Sequence, residues 1–151
     1  MSDVICQGYH VARDAGLLQD AMPIRIALCL TGISVDADDI NVADTNISTK
    51  EYDGSGYARA EPANVTWQYD ATADEMQLDC DDDAEAFGAA PVAGATTSPV
   101  GMLVILQVGG SPNPAVDYVL GYNDSGAYGN GNGGSLGLVV PVDGLLYSKQ
   151  A

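Results

Sequence analysis

The sequence predicts an all-β protein: an antiparallel β-sandwich or jelly roll of about eight strands, preceded by an N-terminal arm or short helix. Three observations lead there. The stretch Val100–Val108 has almost no polar residue, is rich in β-branched side chains and is flanked by Gly and Pro, so it reads as a strand buried on both faces. Several other stretches alternate apolar and polar residues with period two. The 18 Gly and 7 Pro fall between these runs, where turns belong. A chain of 151 residues suits one domain and can bury a core without a metal or disulfide. The expected division is an N-terminal segment, 1–21, and a β-sandwich domain, 22–151.

In the first segment Val11, Ala15, Leu18 and Met22 follow helical spacing. The same residues also suit an extended arm, whose Ile5, Tyr9, Leu17 and Leu18 would need a neighbour to cover them. Met22–Leu30 alternates, with Ile24, Ile26 and Leu28 on one face and Arg25, Ala27 and Cys29 on the other, as in a half-buried strand. Thr31-Gly32 ends it, and an acidic loop follows around Asp36–Asp39 and Asp44. Asp53-Gly54 marks a turn, and Gly56–Arg59 leads into a second strand limited by Pro62. Val65, Trp67 and Tyr69 alternate and predict a core face with Trp67 as its largest member. Met76 and Leu78 give a short strand before the acidic run Asp79–Glu85. Ala89–Pro99 reads as a loop, and Val100–Val108 as the central strand. Val116, Tyr118, Leu120 and Tyr122 alternate next. Asn123–Gly134 reads as a long hairpin loop. Leu136, Leu138, Val140 and Val142 alternate again, and Leu145–Tyr147 close the chain after the Asp143-Gly144 turn.

The formal net charge is −16, with only Arg13, Arg25, Lys50, Arg59 and Lys149 basic. Such a surface repels phosphate, so neither nucleic acid nor an anionic membrane is an expected partner. Cys6, Cys29 and Cys80 have no zinc spacing and no disulfide-scaffold density, so free thiols are expected. No basic stretch leads into an apolar one at the N-terminus, so synthesis in the cytoplasm without a signal peptide is expected. Asn46-Ile-Ser48 and Asn64-Val-Thr66 match a glycosylation pattern that matters only after export.

Few residues suggest chemistry. Asp79, Asp81 and Asp83 have the one-three-five spacing of a calcium loop, but Ala84 and Ala90 stand where the required Gly and Glu belong. An ordinary exposed loop is the plainer reading, with a weak cation site at Asp79 and Asp81 as the alternative. The glycine-rich stretch Asn123–Gly134 lacks the Lys and helix of a phosphate cradle. It can still form a recognition tip, with Tyr122 and Tyr128 as the side chains of interest. The one histidine, His10, would have to serve any Ser-His or Cys-His arrangement, and no nucleophile elbow or paired-histidine metal motif is present. The chain therefore reads as no enzyme, with no cofactor and no metal. Arg59 admits two readings: an ion pair with Asp53 or another nearby acid, or a contact to an acidic loop of a neighbouring copy.

One set of features resembles a known family. The Met22–Leu30 strand, the Val35–Asp39 loop and Asp53-Gly-Ser-Gly-Tyr-Ala-Arg59 together resemble small tailed-phage head decoration or cement proteins with a G-x-G-Y-A/T-R signature. Asp79–Phe87, Leu120–Tyr122 and Gly144–Leu146 match more loosely. Phe87 stands where that pattern often has Trp, and Ala89–Pro99 and Asn123–Gly134 look longer than usual. The resemblance spans residues 22–148, and its sharp motif is Gly54-x-Gly56-Tyr57-Ala58-Arg59. It implies a non-enzymatic β-sandwich that binds the major capsid protein on the outside of an assembled phage head, as a symmetric oligomer. A homo-trimer is the expectation, because threefold points of a capsid lattice suit it. Partner contacts are then expected at Ile5, Tyr9, Leu17, Leu18, Tyr57 and Arg59. A receptor- or glycan-binding module of a phage fibre is the alternative, since sandwich folds serve both jobs.

Overall fold

In the computed structural model, residues 3–92, 99–124, 134–140 and 144–149 are described. The fold is mostly β, antiparallel and sandwich-like, with two short helices. Its centre is a sheet of four strands in the order β1-β7-β6-β2, comprising β1 (Val4–Ile5), β7 (Tyr118–Asn123), β6 (Gly101–Leu106) and β2 (Ile24–Cys29). The remaining strands are β3 (Thr66–Asp70), β4 (Glu75–Asp79) and β9 (Leu146–Lys149) in one sheet, and β5 (Asp83–Val92) with β8 (Gly134–Leu138) in another.

The apolar run at Val100–Val108 does become the middle of the molecule. All six residues of β6 are buried, and β6 pairs with β2 on one side and β7 on the other. Its alternate side chains enter two different cores. Met102, Val104 and Leu106 join Ile24, Ile26 and Leu28 against Leu78, Phe87, Leu136 and Leu146 from the outer strands. Leu103 and Ile105 join Ala27, Cys29 and Val119 against Cys6, Ile33, Val35, Val42 and Ile47. Apart from Cys6, the second group comes from the segment that reads as an acidic loop. It folds as a cap, with a 3₁₀ turn at Val42–Asp44 and the one-turn helix α2 (Ile47–Lys50). The expected half-buried β2 is therefore corrected: the cap covers its second face, and small Ala27 and Cys29 leave room for it.

A bulge explains a second departure. Val104 pairs with Gly121 but Ile105 with Val119, so Leu120 is an extra residue in β7. A one-residue insertion reverses the side-chain parity beyond it. Leu120 accordingly lies in the core on the outer-strand side, while Tyr122 lies in the core under the cap. The alternation of Tyr118, Leu120 and Tyr122 does not place them on one face.

Other expectations are also corrected. Trp67 is only half-buried and Tyr69 is 51% exposed, because β3 is the margin of its sheet. The β5 strand begins within the acidic run and continues through Val92, past the expected start of the Ala89 loop. The second strand expected after Gly56–Arg59 is reduced to an isolated bridge, Ala60 to Ile26. Much of the Asn123–Gly134 loop, with Tyr128, and also Val142, lie outside the described residues.

Of the two forms expected for residues 1–21, the short helix is present, at α1 (Gln7–Asp14) rather than over Val11–Met22. Strand β1 pairs with β7, and α1 lies on the same strand. Gly8 makes this approach possible: a Cβ there would stand 2.2 Å from the Val119 carbonyl oxygen and 2.4 Å from that of Ile40.

Candidate functional site

The G-x-G-Y-A-R motif lies against the outer margin of β2, the last strand of the central sheet. A margin strand presents unpaired N–H and C=O groups to any extended chain nearby. Here they are nearly all occupied. Ile26 exchanges both backbone hydrogen bonds with Ala60, at 3.1 and 2.9 Å. The Leu28 carbonyl accepts from Tyr52 N–H at 2.9 Å, and Leu30 N–H donates to the Lys50 carbonyl at 2.7 Å. The remaining donor, Leu28 N–H, reaches the Tyr57 hydroxyl at 3.0 Å. A side-chain oxygen thus does the work of a partner strand at one position.

Each motif residue has a physical reason to be there. A Cβ on Gly54 would stand 2.4 Å from the Tyr52 ring, so any larger residue would have to displace that buried ring. Gly56 has φ +84°, a conformation costly for other residues, and it turns the chain so that Tyr57 points back at β2. Tyr57 packs edge-on to Tyr52 with centroids 5.4 Å apart and is stacked near Phe87 at 6.4 Å. Ala58 N–H donates to the Phe87 carbonyl at 2.9 Å, which ties the loop to β5. Arg59 grips Glu51 in two places, Nε to Oε1 at 2.8 Å and Nη2 to Oε2 at 2.9 Å. Glu51 Oε1 also accepts from the Tyr57 hydroxyl at 2.9 Å.

These bonds fix the charge states. Burial pushes the Tyr57 phenol well above its ordinary range, and the adjacent Glu51 carboxylate adds to the shift. The hydrogen bonds to Glu51 hold the Arg59 guanidinium protonated more firmly still. Arg59 is thus a scaffold cation with a defined orientation, and its acid is Glu51, not Asp53. Sequence reasoning could count nearby acids, but it could not tell which one the Gly54 and Gly56 turns would bring round. The chemistry available is hydrogen bonding and ion pairing; Tyr57 is held away from the phenolate form that a nucleophile or base would need.

The other expected contact residues are dispersed. Tyr9 is buried, edge-on to Trp67 at 5.4 Å, and faces its own domain. Ile5 and Leu18 are half-buried against the core, whereas Leu17 is 36% exposed. Leu17 lies on the rim of a hollow of about 190 Å³ lined with Met22, Pro23, Leu106, Gln107 and Val108. Arg59 lies on a second hollow, of about 200 Å³, with Arg25, Glu61, Gln107, Gly110 and Pro112. Gln107, itself buried, lines both, so two expected contact residues far apart in sequence lie on neighbouring hollows.

The calcium reading finds no site. Asp79 accepts from Cys80 N–H at 2.8 Å, Asp83 from Glu85 N–H at 2.9 Å and Asp82 from Val140 N–H at 2.7 Å. Asp81 is engaged by the Asn64 amide. Among the described residues no group of three or more His, Cys, Asp or Glu side chains is placed to hold a metal ion. Tyr122 is buried and donates to the Val100 carbonyl at 3.1 Å, so it forms no exposed recognition tip.

No family model, no curated protein and no solved structure matches this chain.

Proposed function

We propose that this chain is a non-enzymatic structural protein of a tailed-phage virion, one that binds the outside of an assembled head and stabilises it as a homo-oligomer, with a trimer the favoured state. The observation that carries the reading is the G-x-G-Y-A-R motif. It is the sharpest element of the resemblance to head decoration proteins, and here its side chains serve stiffness rather than chemistry. Tyr57, Arg59 and Glu51 close the margin of the central sheet. A protein that clamps a lattice from outside needs a rigid body, since every ordering cost left until docking weakens the grip. Repeated contacts per oligomer then raise avidity through effective concentration. A net charge of −16 suits a protein crowded in many copies on one surface and disfavours binding to the packaged nucleic acid.

The test is co-sedimentation of the purified protein with expanded, genome-free heads, followed by imaging of labelled protein on virions. Saturable binding over the whole head surface is expected. No affinity for heads, together with label confined to the tail tip or specific hits on a glycan array, would overturn the reading in favour of a fibre module.

A further inference from the structure

We infer that the surface joining Leu17 and Val108 to Arg25 and Arg59 is where a second copy of this chain docks, presenting its acidic loop Asp36–Ile40. The contact belongs to the oligomer proposed above and gives it a specific interface. The first observation is the coincidence of apolar and basic surface. Val108 is 52% exposed and Leu17 36%, beside a hollow floored by Met22 and Leu106. Across Gln107, two of the chain's five cations line the adjoining hollow. Arg25 is paired there with Glu61, whose side chain is 71% exposed, and a pair so open to water is easily exchanged. Arg59 spends Nε and Nη2 on Glu51, which leaves Nη1 for a further acceptor.

The occupant follows from charge. Two bodies of net charge −16 repel, and a contact between them is least costly where cations meet acids. A symmetric contact of the surface with itself would bring four cations together with only the two Glu61 carboxylates between them, so an acid-bearing surface elsewhere on the neighbour is the better complement. The loop Asp36–Ile40 provides one. Asp36 and Asp38 are exposed, and Ile40 beside them is 37% exposed, an acid-plus-apolar pattern matching the basic-plus-apolar hollows. The loop is already rigid: its Ala37 and Asp39 carbonyls accept from Gln7 and Gly8 N–H at 2.7 and 2.9 Å, and Asp39 accepts from Asp36 N–H at 2.8 Å.

Position also fits. The Ile40 carbonyl accepts from Val119 N–H, so the loop sits over β7, while Arg25 and Arg59 sit at the β2 margin on the other side of β6. Two different surfaces of the chain would meet, a head-to-tail contact of the kind that closes rings.

The experiment is sedimentation velocity on the full chain over a concentration series reaching the millimolar range. Concentration-dependent association is expected. Arg25→Glu, at a half-buried position on the β2 margin, and Val108→Ser, at an exposed one, should each weaken it about tenfold or more, the effect of a central interface residue. Circular dichroism melts should show both variants folded. Combining Arg25→Glu and Asp38→Arg in one chain should restore association, because the reversed charges then meet at every interface of a head-to-tail ring. A wild type that stays monomeric, variants that associate as before, or rescue by Asp82→Arg in place of Asp38→Arg would overturn the inference. Head binding by a strict monomer would overturn it, and the homo-oligomer with it, while leaving the head-binding role standing. An oligomer assembled through this surface that ignores heads would do the reverse.

Discussion

Replacing Tyr57 with Phe isolates the hydroxyl that completes the margin of β2. The ring keeps its places against Tyr52 and Phe87, so packing is preserved. Two hydrogen bonds go, one from Leu28 N–H and one to the Glu51 carboxylate. A neutral bond contributes about 1 kcal/mol and a bond to a charged group about 1.5–3 kcal/mol, and partial access to water favours the lower values. The expected loss is about 2–3 kcal/mol, which for a domain of this length lowers Tm by about 5–10 °C. Urea denaturation should show a lower midpoint with an unchanged slope, since the surface exposed on unfolding is the same. Hydrogen exchange gives the sharper readout. The Leu28 amide should lose protection, while Ala27, whose residue pairs with Leu103 on the inner side, should keep its own. A variant within about 0.5 kcal/mol of wild type with an unchanged Leu28 exchange rate would refute the assignment, because that is the scatter of an ordinary surface change.

Three further outcomes are expected. Gly8→Ala should destabilise by about 2 kcal/mol or more in a thermal melt, although alanine is the better helix former, because the new Cβ collides with two backbone oxygens. Phe87→Ala should cost about 3–5 kcal/mol in urea, as a fully buried ring lost from the core on which Tyr57 rests. The Cys29 thiol is pushed by burial from 9.0 up to about 12, so between those values the unfolded chain releases a proton that the folded chain retains. Stability should therefore fall as pH rises above 9, and Cys29→Ala should make that fall shallower by about 1.4 kcal/mol per pH unit. A pH series of urea midpoints on both proteins checks it.

The β class and the central strand were legible because they rest on composition and on one unbroken apolar run. The margin strands were less so. Trp67 alternates like a core residue, but alternation cannot say how much of a face the rest of the molecule covers. The parity of β7 was hidden for a related reason: the bulge at Leu120 depends on pairing with β6, and no local signal marks it. The cap over Ala27 and Cys29 escaped because Ile33, Val35, Val42 and Ile47 are spaced among acids and follow neither helical nor strand period. At the candidate site, Tyr57 and Arg59 stood out by their motif. Glu51 did not, since only the turns at Gly54 and Gly56 bring it to them.

The closure of β2 also bears on how the chain is made. On a ribosome, Ile24–Cys29 emerges long before Gly101–Leu106, its neighbour in the finished sheet. Tyr52, Tyr57 and Ala60 follow it within some thirty residues, a matter of seconds at about 5–20 residues per second. The nascent strand can therefore be clothed on one flank while the other still waits, which leaves a single flank on which it could join a strand of a neighbouring nascent chain.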